Sequence, residues 1–352
     1  MKLLVPLYIY PLHDDSLARE WQEMKDAGDA GVSVVAIANP GSGPGTEGDR
    51  GPYSKGMQAL RDSGVEVIGY VASGYGRRSE IQVKADIDRY KEWYGEWLSG
   101  IFLDEAACVF DDASDGDGAM CARYRGYHQR IRELMGDSAT VVMNTGSMIT
   151  EKALTDALGR DVVWNVLENS RSSLEKDFGK VATTFTPITK KVTTTTKKKK
   201  KTWKMMLGCG GDANAVEGPK VVEGTPPAAP PHVQERAGFM VHGAARMSYE
   251  EICHWVNQLE DGGWSHVYMT DKIYDPDSDN PAHHNPWDAV PTYWADLAKA
   301  VGEISGAVRR DFDDGKIPPT TAGSSSSSKA AVSSSSSKAA VSSSSSKAAV
   351  SS

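Results

Sequence analysis

The chain has 352 residues, with 39 Lys and Arg against 47 Asp and Glu, a formal net charge of −8 and 39% hydrophobic residues. That balance argues against a nucleic-acid binder, which needs a basic face to neutralise phosphates, and no run approaches the roughly 18 apolar residues of a membrane span. The 34 glycines follow no triplet period, and four cysteines without CxxC spacing suit neither a disulfide scaffold nor a structural zinc site.

The N-terminus, Met1 to Tyr10, has the look of a leader, but its apolar run is short, broken by Pro6 and followed by no small-residue cleavage site. A buried strand over Leu3–Ile9 fits better, and any leader would then lie upstream. A helix follows over Ser16–Ala27, with Leu17, Trp21 and Met24 at helical spacing. Further strands are expected at Val32–Ala38, Val65–Val71, Gly100–Leu103, Thr140–Met143, Val162–Leu167, Gly238–Val241 and His266–Thr270. Helices alternate with them at Tyr53–Ser63, Ser79–Leu98, Met120–Met135, Ser248–Glu260 and Pro291–Val308. Ser248 and Glu251 match a capping box.

Two stretches break the pattern. Thr193–Thr196, Lys197–Lys201 and the prolines of 226–231 mark roughly 187–235 as a flexible low-complexity insertion. From Ser324 the unit SSSSSKAAV repeats every nine residues, and it carries too little apolar mass to repay its ordering entropy. Residues 318–352 therefore read as a disordered tail. Residues 1–317, less the insertion, are near the usual size of one (β/α)8 barrel. Eight strand-then-helix units imply a parallel sheet, because parallel neighbours need a crossover. The α/β alternative, an open doubly wound sheet, would carry G-x-G-x-x-G after its first strand, where Pro11-Leu12-His13-Asp14-Asp15 stands instead.

A barrel of this kind keeps its chemistry at the C-terminal ends of its strands. Those ends carry Tyr8 and Tyr10, Asn39, Tyr70, Asp104 and Glu105, Asn144, Glu168, His242, and Thr270 with Asp271. Hydroxyls, amides, carboxylates and one imidazole suit a carbohydrate. In Gly100-Ile101-Phe102-Leu103-Asp104-Glu105 a buried strand runs into two acids, whose desolvation and mutual repulsion call for a task or a partner. A second apolar run, Val162 to Leu167, ends in Glu168. Two such carboxylates facing each other across the barrel mouth would supply a proton donor and a nucleophile or base for glycoside hydrolysis. Trp287, after the last strand, is a candidate sugar platform, and Tyr75 a further candidate contact.

Other signals point elsewhere. The loop Asn39-Pro40-Gly41-Ser42-Gly43-Pro44-Gly45 lacks the GxxxxGK[ST] pattern, so it reads as a tight loop over the catalytic face. Asp111 to Gly118 misses the acid spacing of an EF-hand and reads as an acidic loop that favours cationic ligands. His254 and His266 read as packing or surface residues, and the histidines show neither HxH nor HExxH spacing. No metal and no cofactor is therefore expected.

Taken in order, Pro6-Leu7-Tyr8-Ile9-Tyr10-Pro11, the 39–45 loop, Gly69-Tyr70-Val71, Tyr75-Gly76-Arg77-Arg78, Gly100 to Glu105, Leu167-Glu168-Asn169 and Asn285-Pro286-Trp287-Asp288 resemble the spherulation-specific family 4, or spherulin-4, proteins. Some of these are classed as glycoside hydrolase family 135. The resemblance covers roughly 3–186 and 236–300. It implies a (β/α)8 barrel and endo-acting cleavage of an α-1,4-linked N-acetylgalactosamine polymer. It also implies Asp104 as nucleophile, Glu168 as general acid/base and Glu105 as an orienting neighbour, in a retaining mechanism. Tyr8, Tyr10, Asn39, Tyr70, Tyr75, Asn144, His242, Asp271 and Trp287 would then contact a hexosamine polysaccharide. The family implies an extracellular or cell-surface monomer, with a cytoplasmic site as the alternative. Lys272 departs from the pattern, which leads one to expect an acid there. A non-catalytic carbohydrate-binding protein on the same fold is the competing reading, since fold alone does not fix function, and a metal-dependent hydrolase is the third.

Overall fold

The structure is a computed structural model, and it describes residues 1–107, 119–146, 158, 161–170, 229, 233–275, 277–280 and 283–306. The proposed tail, most of the proposed insertion and the acidic loop 111–118 lie outside these residues. The first strand, β1 (Lys2–Leu7), is followed by a two-stranded hairpin of β2 (Leu12–His13) and β3 (Ser16–Leu17). Then come α1 (Arg19–Asp29), β4 (Val34–Ala38), α2 (Glu47–Asp62), β5 (Glu66–Ala72), α3 (Glu80–Tyr94), β6 (Gly100–Asp104) and α4 (Ala119–Met135). The remaining elements are β7 (Thr140–Asn144), β8 (Val162–Ser170), β9 (Ala237–His242), α5 (Tyr249–Asp261), β10 (Trp264–Met269) and α6 (Trp294–Ile304).

Eight strands close into one parallel barrel in the order β1-β10-β9-β8-β7-β6-β5-β4. The alternative open sheet is thereby excluded. The strands are nearly continuous apolar runs because both faces are covered, as parallel strands require. Trp21, Met24, Tyr53, Met57, Leu60, Val83, Ile87, Tyr90 and Tyr94 turn the helices' apolar stripes onto the barrel.

Several boundaries differ from the sequence reading. The first helix begins at Arg19, because Ser16 and Leu17 pair with His13 and Leu12 instead. The second begins at Glu47, six residues earlier than expected. Thr46 caps it, its backbone N–H donating to Asp49 Oδ2 at 2.8 Å, and the helix accommodates Pro52 at the loss of one backbone hydrogen bond. Gly48, Gly51 and Pro52 hid that first turn. The Ser248–Glu251 capping box forms as read, with the Ser248 N–H donating to Glu251 Oε2 at 2.8 Å.

One irregularity matters for the site. Between β8 and β9 the register advances from Asn165↔Gly238 to Leu167↔Phe239, so β8 spends one extra residue. In a regular strand Asn165 and Glu168 would face opposite sides. The bulge at Val166 resets the alternation, and both side chains reach into the barrel.

Candidate active site

β6 and β7 pair in register up to Leu103↔Met143, which sets Asp104 beside Asn144 at their ends. The Asn144 amide nitrogen donates to Asp104 Oδ1 at 2.6 Å and also to Glu168 Oε2. Tyr70 on β5 donates its hydroxyl to the other Asp104 oxygen, Oδ2, at 2.6 Å. Tyr8, just past β1, sets its ring edge-on to Tyr70 with centroids 5.5 Å apart. Carboxylates from β6 and β8 thus converge on one amide, with two phenols closing the side towards β1.

The two acids are not equivalent. Burial and the nearby Asp104 charge push the Glu168 carboxyl up from 4.5 to about 7, against the lowering effect of the Asn144 hydrogen bond. Burial and the same two carboxylates raise the Tyr8 hydroxyl well above its usual range, so that phenol stays protonated. Asp104, by contrast, accepts from two donors, Tyr70 and Asn144, one on each oxygen.

Glu105 follows in a left-handed conformation, φ +50°. Its carbonyl accepts from Ser73 Oγ at 2.8 Å and from the Tyr75 N–H at 2.6 Å. Ser73 is in turn 2.8 Å from the hydroxyl of Tyr124, which also accepts from the Ala107 N–H at 2.9 Å. The chain is therefore bent sharply at the second acid by backbone contacts, and the Glu105 carboxylate makes no hydrogen bond to the other described residues.

The remaining sequence candidates divide. Asn39 Oδ1 accepts from the Gly43 N–H at 3.2 Å and so shapes its own loop. Tyr90 and Tyr94 of α3 pin that loop by donating to the carbonyls of Gly43 and Pro44 at 2.9 and 3.0 Å. Asp271 accepts from Thr292 N and Oγ1 at 3.0 and 2.6 Å, a clamp on the approach to α6. Lys272, in place of the expected acid, lies 4.0 Å from Asp271. Tyr10 is half exposed and packs edge-on to Tyr53 of α2. Tyr75 is exposed, with the Arg77 guanidinium over its ring at 5.7 Å. Trp287 is only 8% exposed and packs against Tyr268 and His242, so it offers little open face to a sugar. His242 is held below its usual pKa by burial, and among the described residues its Nδ1 is buried without a partner.

Two residues were missed in the sequence. Asn165 is fully buried and donates to Asn144 Oδ1 at 2.8 Å. An amide inside an otherwise apolar strand was the available signal. Tyr274 is 54% exposed and edge-on to His242 at 6.4 Å, and no spacing rule marked it. His266, read with His254 as a packing or surface residue, is buried. Among the described residues no three His, Cys, Asp or Glu side chains gather as a group that could hold a metal ion, and no helix is long and apolar enough to cross a membrane.

Comparison with known proteins agrees with this architecture. The chain is 33% identical over 178 residues to Spherulin-4 of Physarum polycephalum, covering 51% of this chain and 48% of that one. It thus spans about half the length of that relative. The solved structure of Aspergillus clavatus Sph3 in complex with GalNAc matches with a TM-score of 0.56 at 17% identity, over 85% of this chain and 96% of that chain, a likeness of fold. The model of spherulation-specific family 4 matches residues 2–301, and the chain belongs to that family.

Proposed function

We propose that the protein is a retaining, endo-acting glycoside hydrolase of a hexosamine polymer, with α-1,4-linked N-acetylgalactosamine as the first substrate to try. The carrying observation is the shared amide. Two carboxylates accepting from one nitrogen have their nearest oxygens within about 5 Å, the span of two short hydrogen bonds. Retention uses a separation of about 5–5.5 Å, whereas inversion needs about 6.5–9.5 Å to admit a water.

Chemistry follows from the asymmetry of the pair. Asp104, held by Tyr70 and Asn144, attacks the anomeric carbon through a carboxylate oxygen as the glycosidic bond breaks. Glu168, protonated for much of the time near neutral pH, gives its proton to the leaving oxygen. Glu168 then takes a proton from the water that hydrolyses the glycosyl-Asp104 ester. Glu105 orients the turn that carries Asp104. A hexosamine is favoured because the similar barrel of Sph3 was solved with GalNAc. A microbial matrix polysaccharide would place the work outside the cell.

The test is incubation with galactosamine-containing polysaccharides and mass analysis of soluble products. Short oligosaccharides should appear, and Asp104→Asn and Glu168→Gln should each lower their rate by at least about a hundredfold while remaining folded. Binding without release would support the non-catalytic reading instead.

A further inference from the structure

The site contains one group that a two-carboxylate mechanism does not itself require. The Asn144 amide is oriented without ambiguity. Its Oδ1 accepts from Asn165 Nδ2 at 2.8 Å and from the Gly146 N–H at 3.1 Å, so its NH2 must face the carboxylates. There the two N–H bonds are used up, one on Asp104 and one on Glu168. Asn144 is 5% exposed and Asn165 is 0% exposed, so water does not compete for either amide. The support runs one strand further: a Cβ at Gly238 would stand 2.8 Å from Asn165 Oδ1, so the bare backbone of β9 makes the room the second amide occupies. Gly238, Asn165 and Asn144 are consecutive across β9, β8 and β7 at one level of the barrel.

We propose that Asn144, aimed by Asn165, is a positioning residue of the reaction rather than a sugar contact, and that its one amide group holds Asp104 and Glu168 at their spacing by giving each carboxylate one N–H bond. The physical reason is donor count. Two carboxylates this close cannot both stay charged without donors between them. An amide with both N–H bonds committed lets the pair approach and brings no removable proton of its own. The groups facing Glu168 are Asp104 on β6, Tyr70 on β5 and Tyr8 beyond β1, and its β9 neighbour in register, Met240, is apolar. None of these replaces the amide as a donor in the hydrogen bonds described.

This inference rests on the hydrolase reading, and the experiment separates the two. Glu168 is titrated in the full-length chain without substrate, by carbon NMR of glutamate-labelled protein, with Glu168→Gln assigning the signal. In Asn144→Ala the midpoint should rise by roughly one pH unit, since a hydrogen bond that favours the charged form is gone. Asn165→Ala, which leaves every carboxylate contact in place but unaims the amide, should move it the same way by less. Asn144→Ser, which retains one donor, should recover part of the shift. In turnover assays both alanine variants should lower kcat by about tenfold or more with KM nearly unchanged, and shift the alkaline limb of the pH profile upward. Midpoints unchanged in folded Asn144→Ala and Asn165→Ala would overturn the proposal, as would a rise in KM alone, which is the mark of a sugar contact. A shifted midpoint in a protein that cleaves no polysaccharide would keep the positioning role and remove the hydrolase.

Discussion

The two ends of the barrel treat ionisable groups in opposite ways. At the N-terminal end Lys2 pairs with Glu66 at 3.0 Å, Thr140 donates to the same carboxylate, and Arg61 meets Ser99 Oγ at 2.9 Å. Glu66 there meets an opposite charge and a hydroxyl, and Arg61 a neutral dipole. One imidazole there, His266, is buried beside Ser265 Oγ at 2.8 Å, and burial holds its pKa down at about 3. At the C-terminal end two carboxylates face each other across one amide, and two phenols add electron-rich rings. These lower-end groups meet partners, while the upper end sets two acids side by side, where burial and the Asp104 charge push the Glu168 carboxyl up. Stability and reactivity are thus divided along the strands, as the barrel architecture allows.

The largest expected effect of that contrast lies at the lower end, in acid. Burial, with the charges of Lys2 and the N-terminus, pushes His266 down from 6.5 to about 3. Unfolding frees it to titrate normally. For a depressed histidine the stabilisation is whole above about 6.5, where both states are neutral, and is lost as pH falls towards 3, where only the unfolded state binds the proton. The loss is on the order of 4 kcal/mol across that window. Urea unfolding of wild type between pH 7 and pH 4 should show a steep decline that His266→Gln flattens. Equal slopes in the two proteins would mean that other groups govern acid unfolding.

The upper end should behave with the opposite sign. Glu168 is raised, so its cost is absent below about 4.5, where it is protonated in both states, and grows as pH rises through about 7. Replacing it by glutamine should therefore stabilise the protein by up to about 3 kcal/mol at pH 8 and by little at pH 4, while abolishing turnover. Thermal unfolding at the two pH values checks both halves. A variant destabilised at pH 8 would show that the upper end is not strained by its charges.

How much of this could be read from the chain depends on the kind of signal. Asp104 announced itself because an apolar strand runs straight into it, and Glu168 did so in the same way. The barrel followed from eight such runs separated by helical stretches. What stayed hidden depends on parity and register. Alternation alone would send Asn165 and Glu168 to opposite sides, and only the bulge at Val166 aligns them. No residue type in that strand marks the extra step. Asn144 was visible as a strand-end amide, yet its role depends on Asn165, which lies inside a strand where polar residues are easily passed over. Trp287 shows the converse failure, since its position after the last strand did not reveal that Tyr268 and His242 would cover it.

The smallest expected effect sharpens the comparison from below. Lys2 and Glu66 form an exposed ion pair, with 46% and 22% of their side chains open to water. Such pairs contribute about 0–1 kcal/mol, because water and salt screen them and ordering two long side chains costs entropy. Lys2→Met should therefore change stability by no more than about 1 kcal/mol at low salt and by less at high salt. It should also lift His266 slightly, since the lysine charge is one of the causes that hold the imidazole neutral. The acid limb of the unfolding curve would then become shallower without any change in turnover. A change in kcat would mean that the two ends are coupled through the strands, and the division of labour along the barrel would have to be given up.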